Sequence, residues 1–292
     1  MSDDGSRALS VIAFIGSVFS PWYRWSGRRD PENHVCINVA TYGPGGRFAM
    51  TDRGRSALRQ TGTRFEVGPS RLDWDGRSLR IAIDERGAPP LFGRILGEIR
   101  VTPAAVTDVE LPLTADGAHV WRPFAPVSGI EVDLDAPGWR WRGHGYLDAN
   151  FGLRALEADF SYWTWGRYAL PGGGTACFYD ADRRDGTGLA HGARFLPDGS
   201  AEEIALPPRR PMARSLWRVR RETRGDEGSR PRQVRGMLDA PFYARAMVET
   251  VLDGQSVTGV HEALDLDRFA SPLLKPMIAL RVPRRRRWRF GD

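Results

Sequence analysis

Ile130-Glu131-Val132-Asp133-Leu134-Asp135 alternates apolar and acidic residues without a break. That period of two sets one face of a strand against a core and the other in water. Working outward, Leu79, Ile81 and Ile83 repeat the pattern against Arg80 and Asp84, after the turn pair Asp75-Gly76. Further strands are expected over residues 35–41, 97–101, 175–179 and 216–220. Residues 247–252, then Asp253-Gly254, then 257–264 read as a hairpin, because Asp-Gly favours the tight primed turn. Residues 242–252 also fit an amphipathic helix, but their β-branched content and the turn that follows favour strand. Short strands between frequent turns predict an all-β protein, built as barrels or sandwiches. Residues 155–174, closing on Pro171-Gly172-Gly173-Gly174, are expected to carry the chain from one half to the other. Residues 220–235 are expected to form an exposed loop.

Composition bounds the function. The 292 residues are 41% hydrophobic and 27% charged, the balance of a folded chain and not a disordered one. Ten Trp, 13 Phe and 7 Tyr are a heavy aromatic load, while 33 Gly and 21 Pro supply turns. The net charge is +6, and Lys275 is the one lysine among 42 basic residues. Arg284-Arg285-Arg286-Arg287 stands beside Trp288 and Phe290. Guanidiniums beside aromatics suit a membrane interface, and a solvated tail has the same composition. No zinc-finger, RNA-recognition or helix-turn-helix pattern supports nucleic acid. Cys36 and Cys177 stand far apart, which argues for a reducing, cytoplasmic compartment and against a metal or disulfide framework. The uncharged stretch 8–23 holds Gly16, Ser17, Ser20 and Pro21, and reads as a buried strand pair or an interfacial segment, not a span. Walker, dinucleotide, His-Glu-x-x-His and Gly-x-Ser-x-Gly patterns are missing, so nucleotide cofactors, metals and a serine hydrolase gain no support.

Reactive side chains concentrate in residues 118–152. His119 and Trp121 stand two apart, as do Tyr146 and Asp148, so on strands each pair shares a face. Two such strands can present imidazole, indole, phenol and carboxyl to one cavity. Ordinary structure accounts for the same residues: Asp148 as a turn or capping acid before Asn150 and Gly152, Trp121 and Tyr146 as aromatic core, His119 as a hydrogen-bonded structural histidine.

Longer motifs add a resemblance. Residues 14–23 (FIGSVFSPWY), 38–42 (NVATY), 50–53 (MTDR), 145–150 (GYLDAN), 161–168 (SYWTWGRY) and 259–269 (GVHEALDLDRF) are similar to the acyclic carotenoid 1,2-hydratase (hydroxyneurosporene synthase) family across nearly the whole chain. The resemblance implies two lipocalin-like antiparallel β-barrel domains packed side by side, here 10–154 and 155–292. It implies a hydro-lyase of carotenoid biosynthesis in phototrophic bacteria that adds water to neurosporene or lycopene without a cofactor. The family's His and Trp two apart, then Tyr and Asp two apart, fall on His119, Trp121, Tyr146 and Asp148.

Hydrating a trisubstituted alkene requires an acid to protonate one carbon and water to capture the tertiary cation. Asp148 is the expected acid, provided an apolar pocket raises its pKa. Trp121 and Tyr146 offer π faces to the cation, and His119 is expected to hold the water and take its proton, or return a proton to Asp148. An apolar substrate implies peripheral contact with membrane lipid. A non-catalytic carrier of a hydrophobic ligand and a polyene cyclase are the rival readings, since fold alone does not select a reaction.

Overall fold

A computed structural model describes residues 1–291. In chain order the first strands are β1 (Ala8–Ile15), β2 (Val35–Tyr42), β3 (Phe48–Met50), β4 (Asp52–Arg53), β5 (Leu58–Gln60), β6 (Arg64–Val67), β7 (Ser70–Trp74), β8 (Leu79–Arg86), β9 (Arg94–Pro103), β10 (Leu111–Pro112), β11 (His119–Ala136) and β12 (Trp139–Gly152). There follow β13 (Phe160–Ala169), β14 (Thr175–Arg183), β15 (Gly188–Phe195), β16 (Ala201–Glu203), β17 (Arg209–Pro211), β18 (Glu222–Arg224), β19 (Arg232–Ala240), β20 (Tyr243–Leu252), β21 (Gln255–Asp265) and β22 (Arg284–Arg285). The helices are short: α1 (Pro21–Trp25), α2 (Leu156–Asp159), α3 (Leu266–Ala270) and α4 (Leu274–Arg281). The protein is all-β, as the alternation predicts.

Contacts divide the chain into two compact units. Unit 1 takes Met1–Pro103, Ser128–Gly145 and the segment from Pro272 onward; unit 2 takes Ala104–Val127 and Tyr146–Ser271. Each of the long strands β11 and β12 gives residues to both units.

In unit 1, β5 to β9 follow one another as a meander, and Ser128–Ala136 of β11 pairs with β9. Ile130, Val132 and Leu134 are buried, while Glu131 and Asp133 point outward to Arg142 and Arg140 across the β11–β12 pair. A second sheet runs β1-β2-β4-β22 with β3 also on β2. The stretch 8–23 is one strand, not a strand pair: β1 zips onto β2 from Ala8↔Tyr42 to Ile15↔Val35. Polar Ser17 and Ser20 then end it, and Ser20 caps α1 by accepting from the Tyr23 amide.

The C-terminal arginines are not a free tail. β22 pairs in parallel with β4. The Arg284 guanidinium, 11% exposed, donates to buried Asp52 and to the Asn33 carbonyl. Trp288 lies under Arg53, and Phe290 stacks beneath Arg59 at 4.0 Å. Of the arginines in this segment, Arg285, Arg286, Arg287 and Arg289 remain exposed.

Unit 2 is built on one antiparallel sheet in the order β16-β15-β14-β13-β21-β20-β19. Half of the stretch expected to link two halves is β13, the middle strand, paired with β14 and β21. Its aromatic residues face both ways, so no polar alternation marked it as a strand. The expected hairpin forms: β20 and β21 pair from Tyr243↔Leu264 to Leu252↔Gln255. Asp253 and Gly254 take φ of 52° and 73°, the left-handed pair a primed turn needs.

The segment before β18 covers one face of this sheet. Met212 packs with Ala246 and Val248, and Val219 with Tyr162, Ala244 and Ala263. Residues 216–220 are a turn here, not a strand, with Arg218 at φ 62° and its amide bonded to the Ser215 carbonyl at 2.8 Å. Nor are residues 220–235 simply an exposed loop. Glu222–Arg224 pairs with β17, and Arg224 is buried on Asp180, because a guanidinium on this face has a carboxylate waiting for it.

Candidate active site

The other face of the sheet carries the reactive groups. Partners directly opposed in an antiparallel ladder put their side chains on the same face. Register therefore sets His191, Tyr179, Trp165, Glu262 and Arg245 in one row across β15, β14, β13, β21 and β20. Trp163 stands one step along the same face of β13.

Onto this row come the four residues expected from sequence, all within unit 2. Trp121 is wholly buried on β11 and packs on Tyr179 at 5.6 Å between ring centroids. Tyr146, on β12, packs on Trp165 at 5.3 Å. Two residues along β12, Asp148 accepts from Trp121 Nε1 at 2.9 Å and from the Tyr146 hydroxyl at 3.2 Å. The structure thus brings Trp121, Tyr146 and Asp148 together.

His119 is placed differently. It shares its strand face with Trp121, but its Nε2 bonds Asp159 Oδ2 at 2.7 Å, not Asp148. Arg154 clamps the same carboxylate at 2.7 and 3.0 Å and holds the Asp159 pKa low. The imidazole also packs on Phe160 and lies so close to Gly152 that a Cβ there would meet Nδ1 at 3.0 Å. A side chain at that position would push the imidazole aside by a few tenths of an ångström.

Both hydrogen bonds to Asp148 reach Oδ2 and both come from neutral donors. Burial raises its pKa to about 6; the Glu262 charge adds to the rise, while Trp121, Tyr146 and Arg245 oppose it. Yet much of the residue's surface admits a water-sized sphere. Asp148 is thus exposed, although protein is packed densely around it on the side of the aromatic row. The wall around it is aromatic: Trp163 and Trp165 are half-buried, and Tyr179 is 1% exposed. Burial also raises the Tyr146 and Tyr179 pKa values well above the usual phenol range, so both stay neutral.

Glu262 and Arg245 lie beside this group as an ion pair, with Nε to Oε1 at 2.8 Å and Nη2 to Oε1 at 2.7 Å. Neither was singled out from sequence, nor were Trp163, Trp165, Tyr179 and His191. A signal existed for the pair, since both charges lie at equal distance from the Asp253-Gly254 turn. A separate cavity of about 320 Å³, lined by Leu170, Ala176, Phe178, Ile204 and Leu252, opens on the sheet's opposite face and includes none of these groups. Among the described residues, no three His, Cys, Asp or Glu side chains converge as a metal site.

The assembly can do one kind of chemistry well. It can hold a neutral carboxylic acid against an apolar molecule and surround a developing cation with π faces and fixed dipoles. Comparison with known proteins gives the family. The family model for carotenoid hydratase CrtC matches residues 11–291. The chain is 61% identical to the acyclic carotenoid 1,2-hydratase of Cereibacter sphaeroides over 281 residues, 96% of this chain and all of that one. It is 59% identical to the enzyme of the same description from Rhodobacter capsulatus, over 97% of this chain and all of that one. The crystal structure of kievitone hydratase from Nectria haematococca shares the lipocalin-like fold, with a TM-score of 0.55 at 11% identity, covering 91% of this chain and 87% of that one. With the matched model running over almost its full length, the chain belongs to the carotenoid hydratase CrtC family.

Proposed function

We propose that this hydratase adds water across the terminal double bond of acyclic carotenoids such as neurosporene and lycopene, with Asp148 as the acid. The observation that carries the reading is a carboxyl whose hydrogen-bond donors are both neutral and whose pKa burial raises to about 6. Because Trp121 and Tyr146 converge on Oδ2, the acid's proton is placed on Oδ1, open to a bound substrate.

Asp148 gives that proton to the less substituted alkene carbon, and the more substituted neighbour becomes a tertiary cation. Aromatic faces stabilise it, each contributing about 0.5–2 kcal/mol for a desolvated cation. Trp121 and Tyr146 supply two such faces. Water attacks the cation, loses a proton, and leaves the tertiary alcohol. No electron pair leaves the system and no group is carried, so the reaction runs without a cofactor. His119 serves as a positioning residue: tied to Asp159, it fixes the start of β11 and hence the indole that bonds Asp148.

A C40 hydrocarbon is stored in a bilayer, and peripheral membrane contact belongs to this reading. Among the described residues no helix is long and apolar enough to cross a membrane. Unit 1 instead exposes Leu273, Met277 and Leu280 along one side of α4, at 85%, 37% and 73%, close in sequence to exposed Arg285, Arg286 and Arg287. Apolar side chains with flanking guanidiniums suit an anionic interface. Leu273→Asp with Leu280→Asp is expected to abolish co-sedimentation with anionic vesicles.

Lycopene incubated with the protein in ¹⁸O-labelled water tests the reaction. The product should gain one labelled hydroxyl per hydrated end; a carrier returns lycopene unchanged, and a cyclase returns an isomer without label. Folded Asp148→Asn that hydrates at the wild-type rate would place the acid elsewhere.

A further inference from the structure

Proton donation is half of a hydration, and the water must lose a proton too. His119 Nε2 is committed to Asp159. Two further bases stand on the sheet row, His191 on β15 and Glu262 on β21, and of these Glu262 lies directly opposite Trp165 and is paired with Arg245. Trp165, on which Tyr146 packs, stands directly between Tyr179 on one neighbouring strand and Glu262 on the other. Adjacent strands lie about 4.8 Å apart, so the phenol and the carboxylate flank the indole at one strand's distance each.

Three polar atoms on this face have no protein partner although they are buried: Trp163 Nε1, Trp165 Nε1 and the Tyr179 hydroxyl. Buried polar atoms are satisfied in native proteins by protein or by water. These three cluster beside Glu262 and mark where the site receives water; on the covered face His261 Nδ1 is likewise without a partner.

We propose that Glu262 is the general base for water capture, with Arg245 as its positioning residue and the Tyr179 hydroxyl as the group that orients the water. The inference rests on Asp148 being the acid. As the C–O bond forms at the tertiary cation, one water proton passes to the Glu262 carboxylate, and Asp148 is left ionised. Transfer of that proton from Glu262 to Asp148, directly or through a water, restores both groups, so each turnover consumes one water and no net proton. Two carboxyl groups in different settings divide the work. Arg245 pairs with the Glu262 carboxyl and aims it, while Asp148 has only neutral donors. The Glu262 charge also keeps a second negative charge off Asp148.

The test is Glu262→Gln, whose amide oxygen still accepts from Arg245. Rates should be measured against pH on folded protein with lycopene, with Asp148→Asn alongside. The groups facing Asp148 are Trp121 and Tyr146, then Tyr179 and Cys177 from β14, Glu262 from β21 and Arg245 from β20; Arg167 of β13 faces Tyr146 and Cys177. Of these, the variant removes one negative charge. It should lower kcat about 100-fold, leave KM for lycopene unchanged, and move the alkaline limb of kcat/KM to lower pH. Glu262→Asp should recover part of the rate and part of the shift. A wild-type kcat, or a fall in kcat with the limb unmoved, overturns the proposal while Asp148→Asn remains inactive. If Asp148→Asn is active as well, the acid assignment has failed instead.

Discussion

Asp52 in unit 1 and Asp148 in unit 2 are the same side chain in two kinds of surroundings. Asp52 has no exposed surface and accepts from Arg284 and Ser20, with His34 Nδ1 beside it at 3.3 Å. A full guanidinium charge faces it, and the cluster ties β22 to β4. Asp148 receives an indole N–H and a phenol, with no cation in hydrogen-bonding contact. One carboxyl meets a guanidinium and joins elements, and the other has no direct counter-charge, which on the proposed reading lets a proton stay on it. Burial alone does not make a functional acid; burial without an opposing charge at hand does.

Removing the reactive group should have the largest effect and touch activity alone. Asp148→Asn is expected to lower hydration about 10³-fold or more, without loss of thermal stability, in paired rate and unfolding measurements. Removing the structural cation should do the reverse. Arg284→Met leaves Asp52 buried and unopposed, which costs about 3–5 kcal/mol of folding stability. Urea unfolding checks it, and the folded fraction should hydrate at the normal rate. Adding Asp52→Asn to that variant should recover much of the loss.

pH separates the two carboxyls further. The native pKa of Asp148 lies above its usual value of 3.8, at about 6. The native state therefore binds more protons than the unfolded chain between those values, and stability falls as pH rises through that window. Asp148→Asn should thus be more stable than wild type above pH 6 and lose the advantage below 3.8. In the same window the acid loses its proton, so kcat/KM should decline through an alkaline limb near 6. Hydrocarbon displaces water when substrate binds, so the limb of kcat should lie higher. The smallest expected effect is that of Trp121→Phe. It keeps a π face but deletes the donor that favours the ionised acid, so the limb should move up by a fraction of a pH unit, with a few-fold loss of rate that Trp121→Ala exceeds.

Much of this was legible in the chain. Ile130 to Asp135 disclosed its buried face, and Asp253-Gly254 disclosed its hairpin, because both depend on local patterns. The hairpin held more than was read from it. Counting seven residues back from each side of that turn sets Arg245 opposite Glu262, so the ion pair was within reach of sequence reasoning. β13 was read as a passage between halves because a middle strand buried on both faces carries no alternation. The site was partly legible. Pairs two apart put His119 with Trp121 and Tyr146 with Asp148 on shared faces, but nothing local tells an imidazole which of two aspartates it will bond. That choice was made by Arg154 and Gly152, whose roles exist only once the strands are assembled.

The central claim is that Asp148 stays protonated where an ordinary aspartate would not. Difference infrared spectroscopy of wild type against Asp148→Asn reads it directly, by following the carboxylic C=O stretch with pH. The account predicts a single protonated carboxyl that titrates near 6 and persists to higher pH when lycopene is bound. A band already gone by pH 5, with or without lycopene, would contradict it.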